Sequence, residues 1–162
     1  MKKTVFLLFA IIGLCACGGR EDNRLYLFND VSFALLQDEK VLDITVIETD
    51  KFFSYFNEQA PGMPMYKCIE GGTYTIYIAI PYNTSVREIS DTDILLCSQD
   101  TSVQAKDAAY SYRRYECPNE YVSEYAVSLD NNIVYVLAST TSKSIADSLF
   151  SHEAMKERLV LE

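Results

Sequence analysis

The chain of 162 residues is long enough for one folded domain, and 49% hydrophobic with 23% charged residues is the composition of a globular protein. A formal net charge of -9 argues against a nucleic-acid partner, because an acidic surface repels phosphates. A single histidine argues against zinc catalysis, which ordinarily uses two or three. No Walker loop, GxSxG or GxGxxG occurs, which argues against the easily recognised NTPase, hydrolase and dinucleotide-binding classes, and no cofactor or metal is expected.

The first element is an apolar segment with the features of an export signal. Lys2 and Lys3 precede ten residues without a polar side chain, Val5 to Leu14. That length suits a secretory signal, whereas a helix that spans a bilayer needs roughly 20 residues. Polar residues resume at Arg20, so the segment cannot be extended to a full span.

The segment ends in "LCAC", Leu14 to Cys17, which resembles a bacterial lipobox. Cys17 fits the lipidated position because Ala16 before it is small, whereas Cys15 follows the bulky Leu14. The resemblance implies a signal peptide at residues 1–16, cleavage before Cys17, a diacylglycerol on its sulfur and an acyl group on the new amino terminus. Two or more acyl chains anchor a protein stably to a membrane.

The anchor is followed by a short tether, so that residues 17–24 hold the lipidated cysteine and a flexible link. Loss of the signal with its two lysines leaves 146 residues and a net charge of about -11. The acidic Glu21 and Asp22 resemble the export signals of Bacteroidetes surface lipoproteins. This resemblance implies the cell envelope, with the outer membrane ahead of the inner one.

Residues 25–162 form one domain without repeats, in which alternating patterns predict strands. Thr73 to Ile80 is apolar on both faces and is bounded by glycine and Pro81, which is typical of a central strand. Glu120 to Ser139 predicts a hairpin that turns at Asp130 to Asn132. Further strands are expected at Val41 to Glu48 and Asp93 to Ser98.

Helix signals are fewer. A helix is expected from Thr49 to Gln59, and Ser144 with Asp147 resembles a capping box for a helix near the C-terminus. Residues 30–37 and 151–162 are open between helix and strand. The fold class expected is α+β, with an antiparallel or mixed sheet and two or three helices packed on it.

The remaining cysteines, Cys68, Cys97 and Cys117, allow one disulfide in any of three pairings. A thiol enzyme would need His152 as its base, but a lone histidine in this context is more often a solvated side chain. Carboxylates such as Asp91 are interpreted as parts of solvated loops, so a carboxylate-dependent hydrolase is a rival reading only.

The most unusual feature is a set of twelve tyrosines without tryptophan, five of them between positions 110 and 125. Exposed tyrosines bury large rigid areas at low entropic cost, which suits a protein or glycan contact surface. An adjacent basic pair could anchor an acidic group there. The predicted tyrosine surface consists of Tyr110, Tyr112, Arg113, Arg114, Tyr115, Tyr121 and Tyr125. The alternative is a tyrosine-rich, half-buried sheet face.

The sequence therefore predicts an envelope lipoprotein, attached to the membrane through its lipid, whose domain binds a protein partner without catalysis. A glycan-binding protein, an immunity-type lipoprotein that blocks a toxin, and a carboxylate- or thiol-dependent hydrolase are the alternatives. A cleft with two facing acids, or a thiol beside His152, would favour the hydrolase.

Overall fold

The structure is a computed structural model that describes residues 23–42, 65–81, 85, 101–106 and 109–161. The signal peptide and lipobox, the helix predicted at residues 49–59 and the strand predicted at 93–98 lie outside the described residues.

Strands dominate the described residues and form two antiparallel sheets. The small sheet has the order β1-β2-β10, with β1 at Arg24–Phe28, β2 at Val31–Ala34 and β10 at Leu159–Leu161. The large sheet has the order β3-β4-β5-β9-β8-β7-β6. Its strands are β3 Lys40–Leu42, β4 Met65–Gly71, β5 Tyr74–Ala79, β6 Thr101–Lys106, β7 Tyr110–Cys117, β8 Glu120–Leu129 and β9 Asn132–Thr140.

The predicted α+β class is wrong, because the described chain is mainly β with two short helices. These are α1 at Lys143–Leu149 and α2 at His152–Arg158, each of seven residues. The ambiguous segment 30–37 contains β2, where three consecutive buried residues pack in the small sheet. Strand-favouring residue types and pairing with β1 and β10 decide its conformation.

The prediction of a central strand from Thr73 to Ile80 is confirmed by β5, which lies between β4 and β9. Ile76 and Ile78 are fully buried on one face, while Tyr77 and Ala79 are buried on the other. Gly71 leaves room for the Tyr74 ring, because a Cβ atom there would lie 2.2 Å from it, and Gly72 supplies the positive φ, 41°, of the turn before β5.

The predicted hairpin is also confirmed, as β8 and β9 joined at Asp130 and Asn131. Both turn residues have positive φ, 45° and 61°, which matches the right-handed twist of the paired strands. Asn29, in the turn between β1 and β2, donates a hydrogen bond of 2.6 Å to the Asp130 carboxylate. The turns of the two sheets are thereby linked.

The C-terminal segment contains both of the structures that the sequence left open. α2 runs to Arg158 and β10 follows it directly. The cap of α1 is Ser142, whose hydroxyl accepts a hydrogen bond from the Ile145 amide at 3.4 Å, so the predicted cap at Ser144 is wrong. With Ser142 as the N-cap, the third helical position is Ile145, which has no acceptor side chain, so no capping box forms.

The large sheet is buried on both faces. One face, here called the helix face, packs against Phe150 after α1 and Met155 in α2, together with side chains of the small sheet. Its core residues are Ile69, Ile76, Ile78, Tyr112, Tyr125, Val134, Val136 and Ala138. The opposite face, here called the far face, carries the residues that alternate with these, including Cys68, Tyr77, Glu124 and Leu137.

Candidate functional site

The predicted tyrosine surface lies on β7 and β8, which pair along their whole lengths. The exposure expected for it is wrong for five of its seven members. The buried members, 2 to 8% exposed, are Tyr112, Arg113, Arg114, Tyr115 and Tyr125. Tyr110 and Tyr121 are half-buried. The alternative of a largely buried sheet face therefore describes these strands better, and a binding role for the set stays a prediction.

Arg113 and Arg114 do not act as a pair. Successive residues of a strand point to opposite faces, so Arg113 lies on the far face and Arg114 on the helix face. Each is matched with an acid of the same chain, Glu124 for Arg113 and Asp147 for Arg114.

The far-face cluster is a buried ion pair. The Nε and Nη2 atoms of Arg113 donate to the two carboxylate oxygens of Glu124 at 3.0 and 2.8 Å. The Tyr115 hydroxyl donates a third hydrogen bond at 3.1 Å. Burial raises the pKa of Glu124, and the hydrogen bonds and charge of Arg113 act in the opposite direction. Burial lowers the pKa of Arg113, but Glu124 outweighs this effect and raises it.

The second cluster joins β7 to α1 on the helix face. Arg114 Nη1 donates to Asp147 Oδ1 at 2.6 Å, and its guanidinium lies 5.6 Å from the centre of the Tyr121 ring. Next to it, Lys143 Nζ is 3.9 Å from a carboxylate oxygen of Glu116. These contacts fix the first turn and the middle of α1 against the end of the strands.

His152 lies in a tyrosine cage, which corrects the expectation of a solvated side chain. Its side chain is 18% exposed and its ring stacks on Tyr110 at 4.5 Å between centroids. The rings of Tyr112 and Tyr125 lie at 5.8 and 5.7 Å. The Tyr112 hydroxyl donates a hydrogen bond to the Phe150 carbonyl at 2.7 Å, and burial raises the pKa of Tyr112.

The cysteines do not approach the histidine in the described residues. Cys117 is disulfide-bonded, and Cys97 lies outside the described residues. Cys68 is a buried thiol on the far face, opposite Tyr77 of the neighbouring strand. Since His152 packs on the helix face, the sheet separates it from Cys68. These two side chains therefore form no catalytic dyad.

Sequence reasoning missed a third charged cluster, centred on Glu39 and Arg158. The Nη2 atom of Arg158 binds Glu39 Oε2, and Nε and Nη2 donate to the Ala34 carbonyl at 3.0 and 2.9 Å. The guanidinium also lies 4.4 Å from the centroid of the Phe33 ring. Because 119 positions separate the two charged residues, no local sequence pattern predicts the ion pair.

Tyr74 completes this cluster. Its hydroxyl donates to Glu39 Oε1 at 2.8 Å, while the Leu36 amide donates to Oε2 at 2.8 Å. Burial and the hydrogen bond to Glu39 raise the pKa of Tyr74 to about 12. The Tyr74 hydroxyl therefore keeps its proton to higher pH as the donor of a hydrogen bond to the Glu39 carboxylate.

The two buried carboxylates of the described residues, Glu39 and Glu124, lie on opposite sides of the large sheet. They cannot face each other across a cleft as the acids of a glycosidase do. Within the described ranges, no three acidic, histidine or cysteine side chains could hold a metal ion together, and no helix is long and apolar enough to cross a bilayer. No family model, curated protein or solved structure matches the chain.

Proposed function

We propose that the chain is a lipid-anchored protein of the bacterial cell envelope whose domain binds a protein partner without catalysing a reaction. The observation that carries the proposal is the order of two lysines, ten apolar residues and the box ending at Cys17. A glycan is the second candidate for the bound molecule, because tyrosines also suit sugar contacts. The outer membrane is the expected location.

The disulfide of Cys117 supports export, because disulfides persist in oxidising compartments such as the periplasm. Lipidation of Cys17 and loss of Cys15 with the signal would leave Cys97 as its partner, since Cys68 is a thiol. Peptide mapping under non-reducing conditions should therefore yield a Cys97–Cys117 linked peptide. A linked peptide containing Cys15 or Cys17 would contradict the proposed processing.

The separation of the reactive groups favours binding over hydrolysis. Glu39 and Glu124 are each engaged by an arginine and lie on different faces of the sheet. His152 is enclosed by tyrosines on the face away from Cys68. Neither the acid pair nor the thiol–histidine pair that the hydrolase reading needs is assembled from these residues.

Lipid attachment is tested by metabolic labelling with a fatty-acid analogue in an expressing bacterium. Cys17→Ala should abolish labelling and shift the protein from the membrane to the soluble fraction. Cys15→Ala is the matched control and should leave labelling unchanged. Labelling that depends on Cys15 instead would show that the wrong cysteine was chosen.

Partner binding is tested by photo-crosslinking in living cells. A photoreactive residue at Tyr110 or at Tyr121, the two half-buried members of the predicted tyrosine surface, should give one adduct of defined mass. Lys156, which is exposed on α2, serves as the control position. Protease treatment of the adduct separates a protein from a glycan. Absence of a discrete adduct at both tyrosines would overturn the proposed contact surface.

A further inference from the structure

The guanidinium of Arg114 has donors that the chain does not use. The residue is 6% exposed, and Nη1 alone is hydrogen-bonded, to Asp147. The Nε and Nη2 atoms are buried and have no hydrogen-bond partner. Buried polar atoms nearly always have partners, so two unpaired donors on one cation need an explanation. Both atoms lie on one edge of the planar guanidinium group, so a single ligand could accept hydrogen bonds from both.

Arg113, the neighbouring residue, shows which group binds to the Nε and Nη2 atoms of an arginine in this protein. Nε and Nη2 of Arg113 are the same two atoms, and they hold both oxygens of the Glu124 carboxylate at 3.0 and 2.8 Å. This side-on arrangement is the geometry in which a guanidinium matches a carboxylate. Arg114 offers the same edge on the other face of the same strand.

Ser123 adds a polar atom beside this edge. It lies directly opposite Arg114 on β8, on the same face, and is 1% exposed. Its hydroxyl makes no hydrogen bond of good geometry, although it approaches the Tyr112 side chain closely enough to act on it as a hydrogen-bond partner, which lowers the pKa of Tyr112 against the larger, raising effect of burial. A ligand oxygen between the two strands would meet three donors, two from Arg114 and one from Ser123.

The acidic side chains around Arg114 favour a carboxylate over a phosphate as the ligand. Asp147 already offsets the charge of Arg114, and the Glu116 carboxylate is the next acid along the strand. A phosphate dianion would add two negative charges beside these acids, whereas a carboxylate adds one. We infer that Arg114 and Ser123 form a binding site for a small molecule that carries a single carboxylate.

The surroundings place this site one residue pair from the surface. Glu116 and Tyr121, the next cross-strand pair on the same face, are half-buried, and the Asp147 side chain is 53% exposed. The site goes beyond the proposed protein contact and does not depend on the lipid anchor.

The test is an NMR titration of the purified, ¹⁵N-labelled full chain with acetate at constant ionic strength. The Nε–Hε signal of Arg114 should shift to saturation, while that of Arg113, whose edge is filled by Glu124, should stay in place. Sodium chloride should move neither signal, and phosphate should move Arg114 less than acetate does. An unmoved Arg114 signal, or a larger response to phosphate, would overturn the assignment.

Arg114→Lys assigns the signal and keeps a cation for Asp147, but it lacks the two-donor edge, so acetate binding should be lost. Ser123→Ala leaves the arginine intact and keeps the test valid if the lysine variant does not fold. It should weaken acetate binding several-fold, because one of the donors is gone. Unchanged binding in the alanine variant would remove Ser123 from the site. Lipid labelling at Cys17 is unaffected by either result, so the two proposals fail separately.

Discussion

Three arginines are buried in the described residues, and each places its guanidinium against an acid elsewhere in the chain. Arg113 pairs with Glu124 across two strands, Arg114 reaches Asp147 in α1, and Arg158 reaches Glu39 before β3. A buried charge destabilises the folded state unless it is paired and hydrogen-bonded. Removing one partner is therefore expected to lower the free energy of unfolding more than removing both.

Arg113 and Glu124 should show this asymmetry in a double-mutant cycle. Arg113→Met and Glu124→Leu are each expected to lower the free energy of unfolding by about 3–5 kcal/mol, because each leaves an uncompensated buried charge. The double variant should lose much less than the sum of the two. Urea unfolding provides the measurement, and strictly additive losses would mean that the pair is not coupled.

Tyr74 should make stability depend on alkaline pH. The folded state holds its proton up to a pKa of about 12, whereas the unfolded chain releases it near 10, the ordinary value for tyrosine. Between these values the unfolded state binds fewer protons, so the stabilisation is fully present below pH 10 and falls as the pH rises toward 12. The difference in unfolding free energy between wild type and Tyr74→Phe should shrink across this window.

The control for this experiment is Tyr26→Phe, because Tyr26 is 55% exposed. Its stability difference from wild type should stay constant between pH 8 and pH 11. A constant difference for Tyr74→Phe as well would show that the hydrogen bond to Glu39 does not hold the proton.

At the scale of elements, the sequence patterns predicted those strands and turns that depend mainly on residues close together in the chain. β5 and the β8–β9 hairpin follow from residue alternation and from turn residues that accept positive φ, and both were predicted. β2 was left open because a four-residue strand is too short for its period to be recognised. The small sheet depends on β10, which lies more than a hundred residues away in the chain, so its existence could not be read from the sequence.

The candidate site was less predictable than the strands. Tyr121 and Tyr125 lie in the first strand of the predicted hairpin, as expected. The burial of Tyr112 and Tyr125 depends on Phe150 and Met155, which pack on the helix face, and the burial of the two arginines depends on the acids that pair with them. Charge partners that are distant in sequence leave no periodic signal. Two adjacent arginines therefore give the same sequence pattern whether they are exposed or buried in internal ion pairs.

The cap of α1 offers a direct test at this scale. Ser142→Ala should lower the free energy of unfolding by about 1 kcal/mol, because the Ile145 amide loses its acceptor. Ser144→Ala is the matched control, since Ser144 is exposed within the helix and alanine has a higher helix propensity than serine. Thermal unfolding of the two variants measures the difference. A larger loss for Ser144→Ala would restore the cap predicted from the sequence.

Over the whole molecule, the cluster around Arg158 joins the two sheets. Arg158 ends α2, its guanidinium binds the Ala34 carbonyl at the end of β2, and Glu39 carries the contact to Tyr74 in the large sheet. The Asn29–Asp130 hydrogen bond is a second, exposed link between the sheets. The buried cluster is therefore expected to couple their unfolding.

Arg158→Met should lower the free energy of unfolding by about 3–5 kcal/mol, because the Glu39 side chain is fully buried and would lose its counterion. Hydrogen exchange should then be faster in β1 and β2 than in β9, whereas in wild type these strands should exchange together. Lys156→Met changes an exposed residue of the same helix and should leave both measurements unchanged. Uniform acceleration in all strands would show that the cluster stabilises the domain without coupling its sheets.

The start of β1 at Arg24 limits how far the domain can stand from a bilayer. Arg24 lies seven positions after Cys17, with six residues between them, and a fully extended chain advances at most about 3.6 Å per residue, so the tether is no longer than about 25 Å. Once lipidated, the protein would keep the start of its small sheet within about 25 Å of the head groups, and the exposed ring of Tyr26 on that sheet suits a membrane interface. A partner in the same membrane would meet that side of the domain, and only an arriving soluble molecule would meet the other.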